Sequence, residues 1–202
     1  MIGVNMTENE WTESICVKLK KEICKGGIDA DVLKKLPYSQ EIEFYDAEWI
    51  PSYMEPTRFE TDMIVYEKKE SKIKPRVIIE AKLGRISTHD AITYSYKAEK
   101  HKAITPYLRY GIMIGDRKHY PLPGRLFRHG TNFDFMFSFV GVSPDSYEWE
   151  SFIDMINKEI IYSKQMEEIL HESRKKGRKH YYMLQKQLAF KEMPDAEEEP
   201  DD

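Results

Sequence analysis

The chain has 202 residues, of which 41% are hydrophobic and 33% are charged. This composition is ordinary for a soluble globular protein with room for a real core. No stretch approaches the roughly 20 apolar residues of a membrane span. The first residues contain no apolar signal-peptide core behind a basic start, so we expect a cytoplasmic protein.

The net charge of −4 is unevenly distributed along the chain. Residues 194–202 hold six acidic residues and no basic ones, which leaves a net charge of +2 for the rest. We expect a disordered acidic tail at 194–202 and a flexible N-terminus at 1–10. Between them, a single domain is predicted at 11–193. Its mild basicity permits a nucleic-acid partner.

The first part of the chain contains one clear helical pattern. Ile15, Leu19 and Ile23 recur at helical spacing, which predicts a helix over 11–25 with Thr12 as its N-cap. Cys16 and Cys24 fall on this helix about 12 Å apart, too far for a disulfide, so a reducing compartment is expected. Residues 28–37 are interpreted as a short helix or turn.

Apolar stretches and alternating patterns predict five strands, at 40–45, 59–66, 76–83, 108–115 and 135–140. The second and third strands are predicted to form a hairpin with a long polar connection. A helix from Ser87 or Thr88 to about 103 links the third strand to a parallel fourth.

The remaining segments are interpreted from turn residues and helical spacing. Residues 46–57 are expected to be loop and 116–134 stay unassigned, while residues 147–192 are predicted to be mostly helical with a break near Gly177. The predicted fold class is α/β, with a mixed sheet flanked by helices on both faces. Residues 11–115 would form the core and residues 147–193 a helical C-terminal part.

Charged residues interrupt the apolar strand at 76–83. Because side chains alternate along a strand, Ile78, Glu80 and Lys82 share one face. Asp62 lies in the neighbouring strand, where hairpin pairing can place it beside Glu80. Unpaired charges are costly on a buried strand, so this combination suggests a functional site. The alternative is an exposed edge strand with a Glu/Lys pair and an unrelated aspartate.

Two carboxylates on adjacent strands suit Mg²⁺, with Mn²⁺ as a substitute. The backbone carbonyl of Ala81 could add a ligand, and Lys82 could orient a water molecule or offset phosphate charge. Zinc-binding, Walker-type and dinucleotide-binding motifs are absent from the sequence.

Asp62 followed by Glu80-Ala81-Lys82 on a hairpin, then a helix and a strand, resembles the PD-(D/E)XK nuclease superfamily, which includes type II restriction endonucleases. The resemblance covers residues 11–115 and implies a restriction-endonuclease-like core. It implies that Asp62 and Glu80 bind the metal and that Lys82 is catalytic. It also implies a glutamate from the first helix, for which Glu13 is the best match and Glu22 the second.

The resemblance implies a Mg²⁺-dependent DNA endonuclease, with restriction as the preferred setting and a DNA methyltransferase as the expected genomic partner. Holliday-junction resolution, mobile-element or repair cleavage and a catalytically silent DNA-binding module stay open as alternatives. Cleavage of both strands favours a homodimer.

Basic side chains outside the motif are the predicted DNA contacts, although each could instead belong to a solvated surface. These residues are Lys97, Arg117, Lys118, Arg125, Arg128, Arg174, Lys175, Lys176, Arg178 and Lys179.

Overall fold

A computed structural model describes residues 6–118, 122–172, 174–185 and 188–192. The acidic tail predicted at 194–202 and the first five residues lie outside this part of the chain. The helices are α1 (Glu8–Ile23), α2 (Thr88–Ile104), α3 (Gly124–His129) and α4 (Ser146–Glu172). The strands are β1 (Ile28–Ser39), β2 (Ile42–Tyr45), β3 (Pro51–Tyr53), β4 (Thr57–Lys69), β5 (Lys72–Leu83), β6 (Arg109–Gly115) and β7 (Phe135–Ser138).

Five of the strands form one mixed sheet in the order β1-β4-β5-β6-β7, and β2 pairs with β3 in a separate two-stranded sheet. β4 is antiparallel to both β1 and β5, whereas β5, β6 and β7 are parallel to one another. Helix α2 provides the crossover between β5 and β6, as predicted. No helix in the described ranges is both long and apolar enough to cross a membrane.

Helices cover both faces of the large sheet, which confirms the predicted fold class. On one face, Trp11 of α1 and Phe152 of α4 belong to a core cluster that includes Ile79 of β5. On the other face, Ala98 of α2 packs with Ile78. The central strand β5 is therefore buried on both sides.

The prediction of a short helix or turn at 28–37 is wrong, because these residues form β1. Ile28 and Ala30 are buried and alternate with Asp29, a period-2 pattern that directs them into the core. Antiparallel pairing with β4 stabilises this strand. The predicted loop at 46–57 likewise contains a strand, β3.

Helix α1 begins earlier than predicted. Its N-cap is Thr7, whose hydroxyl accepts a hydrogen bond from the backbone amide of Glu10, while the Glu10 carboxylate accepts from the Thr7 amide. This capping box fixes the start of the helix. Thr12, the predicted cap, is buried inside the helix and donates to the Glu8 carbonyl.

The polar connection between β4 and β5 is much shorter than predicted. Pairing continues to Lys69 and Lys72, so only two residues turn the chain. Buried Arg76 explains part of this extension, since it pairs with Glu67 of β4 and Glu167 of α4.

Two further elements in the C-terminal half differ from the prediction. Helix α4 ends at Glu172, and the described residues that follow it contain no further helix, contrary to the predicted helical stretch up to 192. Within the segment left unassigned at 116–134, the chain forms the short helix α3.

Gly115 at the end of β6 offers a test of this packing. A Cβ atom there would lie 2.5 Å from Cζ2 of the buried Trp11. We expect Gly115→Ala to lower the free energy of unfolding by about 1–3 kcal/mol, measured by urea denaturation. Gly124→Ala is the matched control, because its nearest neighbour would be 3.7 Å away. Equal stability of the two variants would contradict this packing.

Candidate active site

The hairpin of β4 and β5 opens at Asp62. Regular pairing between the two strands ends at Met63 and Ile79. One residue further along, the carboxylate of Asp62 accepts a hydrogen bond of 2.7 Å from the backbone amide of Ala81. Beyond this point β4 stays paired with β1. The divergence of the two strands creates space for side chains beside the C-terminal end of β5.

Glu80 lies on this end of β5 and is completely buried, with 0% of its surface exposed. Ala81, the next residue, belongs to the core beneath α1 and α4. Glu80 therefore lies on the opposite face, towards α2, where it meets Lys97. This agrees with the prediction from sequence that Glu80 lies on the same face of the strand as Ile78, opposite Ala81.

A lysine and a tyrosine neutralise and fix the Glu80 carboxylate. Nζ of Lys97 lies 3.0 Å from Oε1 of Glu80, and the Tyr110 hydroxyl on β6 donates to the same oxygen. Lys97 also donates to the Glu60 carbonyl at 2.9 Å. Burial, and next the negative charge of Asp62, raise the pKa of Glu80 to about 8 despite these partners.

Lys82 lies at the rim of the same site, with 24% of its side chain exposed. Its Nζ is 3.4 Å from Oε1 of Glu8 and 3.9 Å from Oδ1 of Asp90. The other carboxylate oxygen of Glu8 accepts a hydrogen bond of 3.0 Å from the Leu83 amide. The first turn of α1 is thereby attached to the end of β5.

Tyr94 of α2 lies among the four carboxylates of this site. Burial raises the pKa of its phenol, and the negative charges of Asp62, Glu80, Glu8 and Asp90 raise it further. The Lys97 ammonium lies 5.3 Å from the centre of the Tyr94 ring. Carboxylates, lysines and phenols thus form one continuous polar cluster in an otherwise apolar core.

The α1 glutamate that reaches this cluster is Glu8, not the predicted Glu13. Glu13 and the second choice, Glu22, are both exposed. Five residues of α-helix rotate a side chain by about 140°, so Glu8 and Glu13 lie on different faces. Placing the start of the helix at residue 11 hid Glu8. The Thr7–Glu10 capping box is the sequence signal that would have revealed it.

Asp62 and Glu80 have the chemistry of a divalent-cation site, because both are hard oxygen donors. Their mutual repulsion and the burial of Glu80 are conditions that a bound cation would relieve. A complete site is not preassembled, however. Within the described ranges, no three His, Cys, Asp or Glu side chains are grouped to hold a metal ion. Ligation by the Ala81 carbonyl stays a prediction.

Three of the predicted DNA contacts lie close to this cluster. Lys97 belongs to it directly. Arg125 donates to the Ile86 carbonyl at 3.0 Å and Arg117 to the Gly84 carbonyl at 3.4 Å, so both contact the loop that follows β5. Lys118 and Arg128 are exposed on the surrounding segments.

The basic run after α4 lies away from the cluster. Glu167 near the end of α4 pairs with Lys74 and Arg76 at the beginning of β5, whereas Lys82 is at its other end. Eight residues of strand separate Lys74 from Lys82, or roughly 26 Å. The structure therefore does not bring this run, whose residues are exposed, to the predicted site. The residues are Arg174, Lys175, Lys176, Arg178 and Lys179.

No protein-family model matches the chain, and no curated protein matches its sequence. A solved structure described as a complex of the pre-specific restriction endonuclease BsaWI with DNA is similar in part, at 10% sequence identity and a TM-score of 0.42. The match covers 83% of the present chain and 64% of the other one, so the chain spans less than two thirds of that structure. At this distance the likeness assigns neither an activity nor a ligand to the chain.

The raised pKa of Glu80 predicts how stability depends on pH. The folded state retains a proton that the unfolded chain releases near its ordinary value of 4.5, so stability contributed by Glu80 falls as pH rises from about 5 to about 8. Glu80→Gln removes this dependence. Urea denaturation across this range should show the variant gaining stability relative to wild type as pH rises. Glu99→Gln, on an exposed part of α2, is the control. Parallel curves for wild type and Glu80→Gln would refute the assignment.

Proposed function

We propose that the protein is a metal-dependent phosphodiesterase that cleaves DNA. The observation that carries the proposal is the convergence of Asp62, Glu80 and Lys82 where β4 and β5 separate. A buried glutamate and a half-buried aspartate beside a partly exposed lysine combine cation binding with a phosphate contact.

Asp62 and Glu80 are the residues that would hold Mg²⁺ or Mn²⁺, and Glu8 lies near enough to assist. A bound divalent cation supplies Lewis-acid polarisation of a phosphate oxygen and lowers the pKa of water. The charges of the cluster match this purpose, since four carboxylates surround Tyr94 and the lysines paired with them are two, Lys97 with Glu80 and Lys82 with Glu8 and Asp90.

Lys82 contacts the substrate in this proposal. Its ammonium lies at the rim between Glu8 and Asp90, where it can donate to a non-bridging phosphate oxygen and to the attacking water. Glu8 and Asp90 hold its flexible side chain in position. Lys97 is buried deeper and acts through Glu80, which makes it a positioning residue.

The proposed reaction is hydrolysis with a 5′-phosphate product. Water supplies the oxygen of the new P–O bond, the P–O3′ bond breaks, and the proton lost by water is matched by one delivered to the 3′ oxygen. DNA as substrate is supported by Arg117 and Arg125 beside the loop after β5, because guanidinium groups bind phosphates well. Restriction, with a methyltransferase as genomic partner, remains the proposed setting.

A catalytically silent DNA-binding module is a second candidate. The Glu80 carboxylate is fully buried and both of its oxygens already have partners in Lys97 and Tyr110. A silent protein would bind DNA in a salt-sensitive manner and leave every substrate intact at all Mg²⁺ concentrations.

Cleavage assays test the proposed roles of Asp62 and Lys82. Purified protein with Mg²⁺ should nick or cut supercoiled and branched DNA. Asp62→Ala and Lys82→Ala should each lower the rate by at least about 100-fold, because each removes a charge that stabilises the transition state. Equal cleavage by the wild type and both variants would overturn the assignment, and binding without cleavage would favour the silent module.

Two glutamates of α1 form a matched pair for a second test. Glu8→Gln should lower the cleavage rate at least about tenfold, because it removes a carboxylate that contacts Lys82. Glu13→Gln should cleave at the wild-type rate, since its side chain is exposed on another face. The opposite ranking would restore Glu13 as the residue that assists the reaction.

A further inference from the structure

A two-stranded hairpin projects from the domain between β1 and β4. We call residues 40–56, which contain β2 and β3, the wing. Its apolar side chains are exposed, among them Phe44, Tyr45, Trp49, Ile50 and Tyr53. An isolated two-stranded hairpin is marginally stable in water, and a contiguous exposed apolar surface marks an interaction site.

The tip of the wing is built to present Trp49. The Asp46 carboxylate accepts from the backbone amides of Glu48 and Ile50, at 3.0 and 2.7 Å, and the Asp46 carbonyl accepts from the Trp49 amide. Trp49 adopts a positive φ of 61° and leaves 77% of its surface exposed. A hydrogen-bonded turn that holds a tryptophan side chain exposed to solvent is typical of a binding element.

The charge of the wing restricts its partner. Residues 40–56 contain five acidic residues and no basic ones. This charge repels phosphate groups and also a second wing, so DNA and symmetric pairing of two wings are disfavoured. The wing requires a partner surface that is both basic and apolar.

The chain itself contains a segment of that character. We call residues 174–192 the arm, and it holds seven Lys or Arg residues and one acid. Its described parts contain no helix or strand. Large apolar side chains are exposed along them, namely Tyr181, Tyr182, Met183, Leu184, Leu188 and Phe190.

The arm returns along α4 in the same subunit. Lys179 pairs with Glu168 at 2.9 Å, and Lys191 donates to the Ser151 hydroxyl near the other end of that helix. The Lys191 ammonium also lies 4.2 Å from the centre of the Tyr147 ring, and the Phe190 ring lies 6.4 Å from that of Phe127. These are surface contacts, and the apolar side chains of the arm, Phe190 included, stay mostly exposed. A segment of this length, with no helix or strand in its described parts, can reach a neighbouring molecule.

We propose that the wing of one subunit binds the arm of a second copy of this chain, and that two such contacts join a symmetric dimer. In this contact the wing contributes five negative charges and exposed aromatic side chains, and the arm contributes a net charge of +6 and exposed aromatic side chains of its own. Exchange of both arms closes the assembly. This inference goes beyond the proposed function, because it assigns a role to two segments outside the catalytic cluster.

Sedimentation of the full chain with reversed charges tests the contact. Wild type should form dimers that weaken as salt rises. Reversing the wing (Glu43→Lys with Glu48→Lys) or the arm (Lys176→Glu with Arg178→Glu) should each raise the dimer dissociation constant at least about tenfold. Combining all four substitutions should restore dimers, and Trp49→Ser should weaken them at every salt concentration.

The control is Glu99→Lys with Asp154→Lys, which makes the same change of charge as the wing variant at exposed sites elsewhere and should leave dimers intact. A monomeric wild type would overturn the proposal, as would dimers that neither reversal affects. Loss of DNA binding in the arm variant with unchanged dimers would identify the arm as a DNA contact instead. These outcomes are independent of cleavage, so they separate this proposal from the proposed function.

Discussion

The site depends on one costly feature, a glutamate buried completely in the central strand of the sheet. An isolated carboxylate at this depth would be strongly destabilising. Lys97 and Tyr110 make Glu80 tolerable by supplying a positive charge and a hydroxyl donor. Its pKa nevertheless stays well above the ordinary range, because of its burial and, next, the nearby negative charge of Asp62. The fold thus holds Asp62 and the buried Glu80 close together although their charges repel each other, and a bound cation would offset this repulsion. Strongly perturbed pKa values of this kind are common at catalytic sites.

The sheet assembles the rest of the site around this residue. β4 leaves β5 at Asp62, so its carboxylate replaces a backbone acceptor for Ala81. Helix α1 starts at this same end and brings Glu8 to Lys82, while α2 begins just beyond it and brings Asp90. The charged groups therefore come from four different elements, α1, β4, β5 and α2, and the tertiary structure places them together.

Much of this arrangement could be predicted from sequence. Alternation along β5 identified the face of Glu80 and Lys82, and the helix that follows predicted the parallel partner strand. Glu8 was missed because the start of α1 was predicted too late, although the Thr7–Glu10 capping box marks it. Tyr110 was missed because no local pattern tells which residues of β6 face a side chain on a distant helix or strand. The strand at 28–37 was missed because its residues have only a weak local preference for any one structure. Its pairing with β4, a strand distant in the sequence, decides its conformation.

Divalent-cation binding tests the central claim most directly. Mn²⁺ titrated into the purified protein can be followed by electron paramagnetic resonance in the absence of DNA. We expect one bound ion per chain in wild type and at least about tenfold weaker binding in Asp62→Asn, whose side chain keeps its shape and loses its charge. Absence of binding to wild type, or equal binding by the variant, would contradict a cation site between β4 and β5.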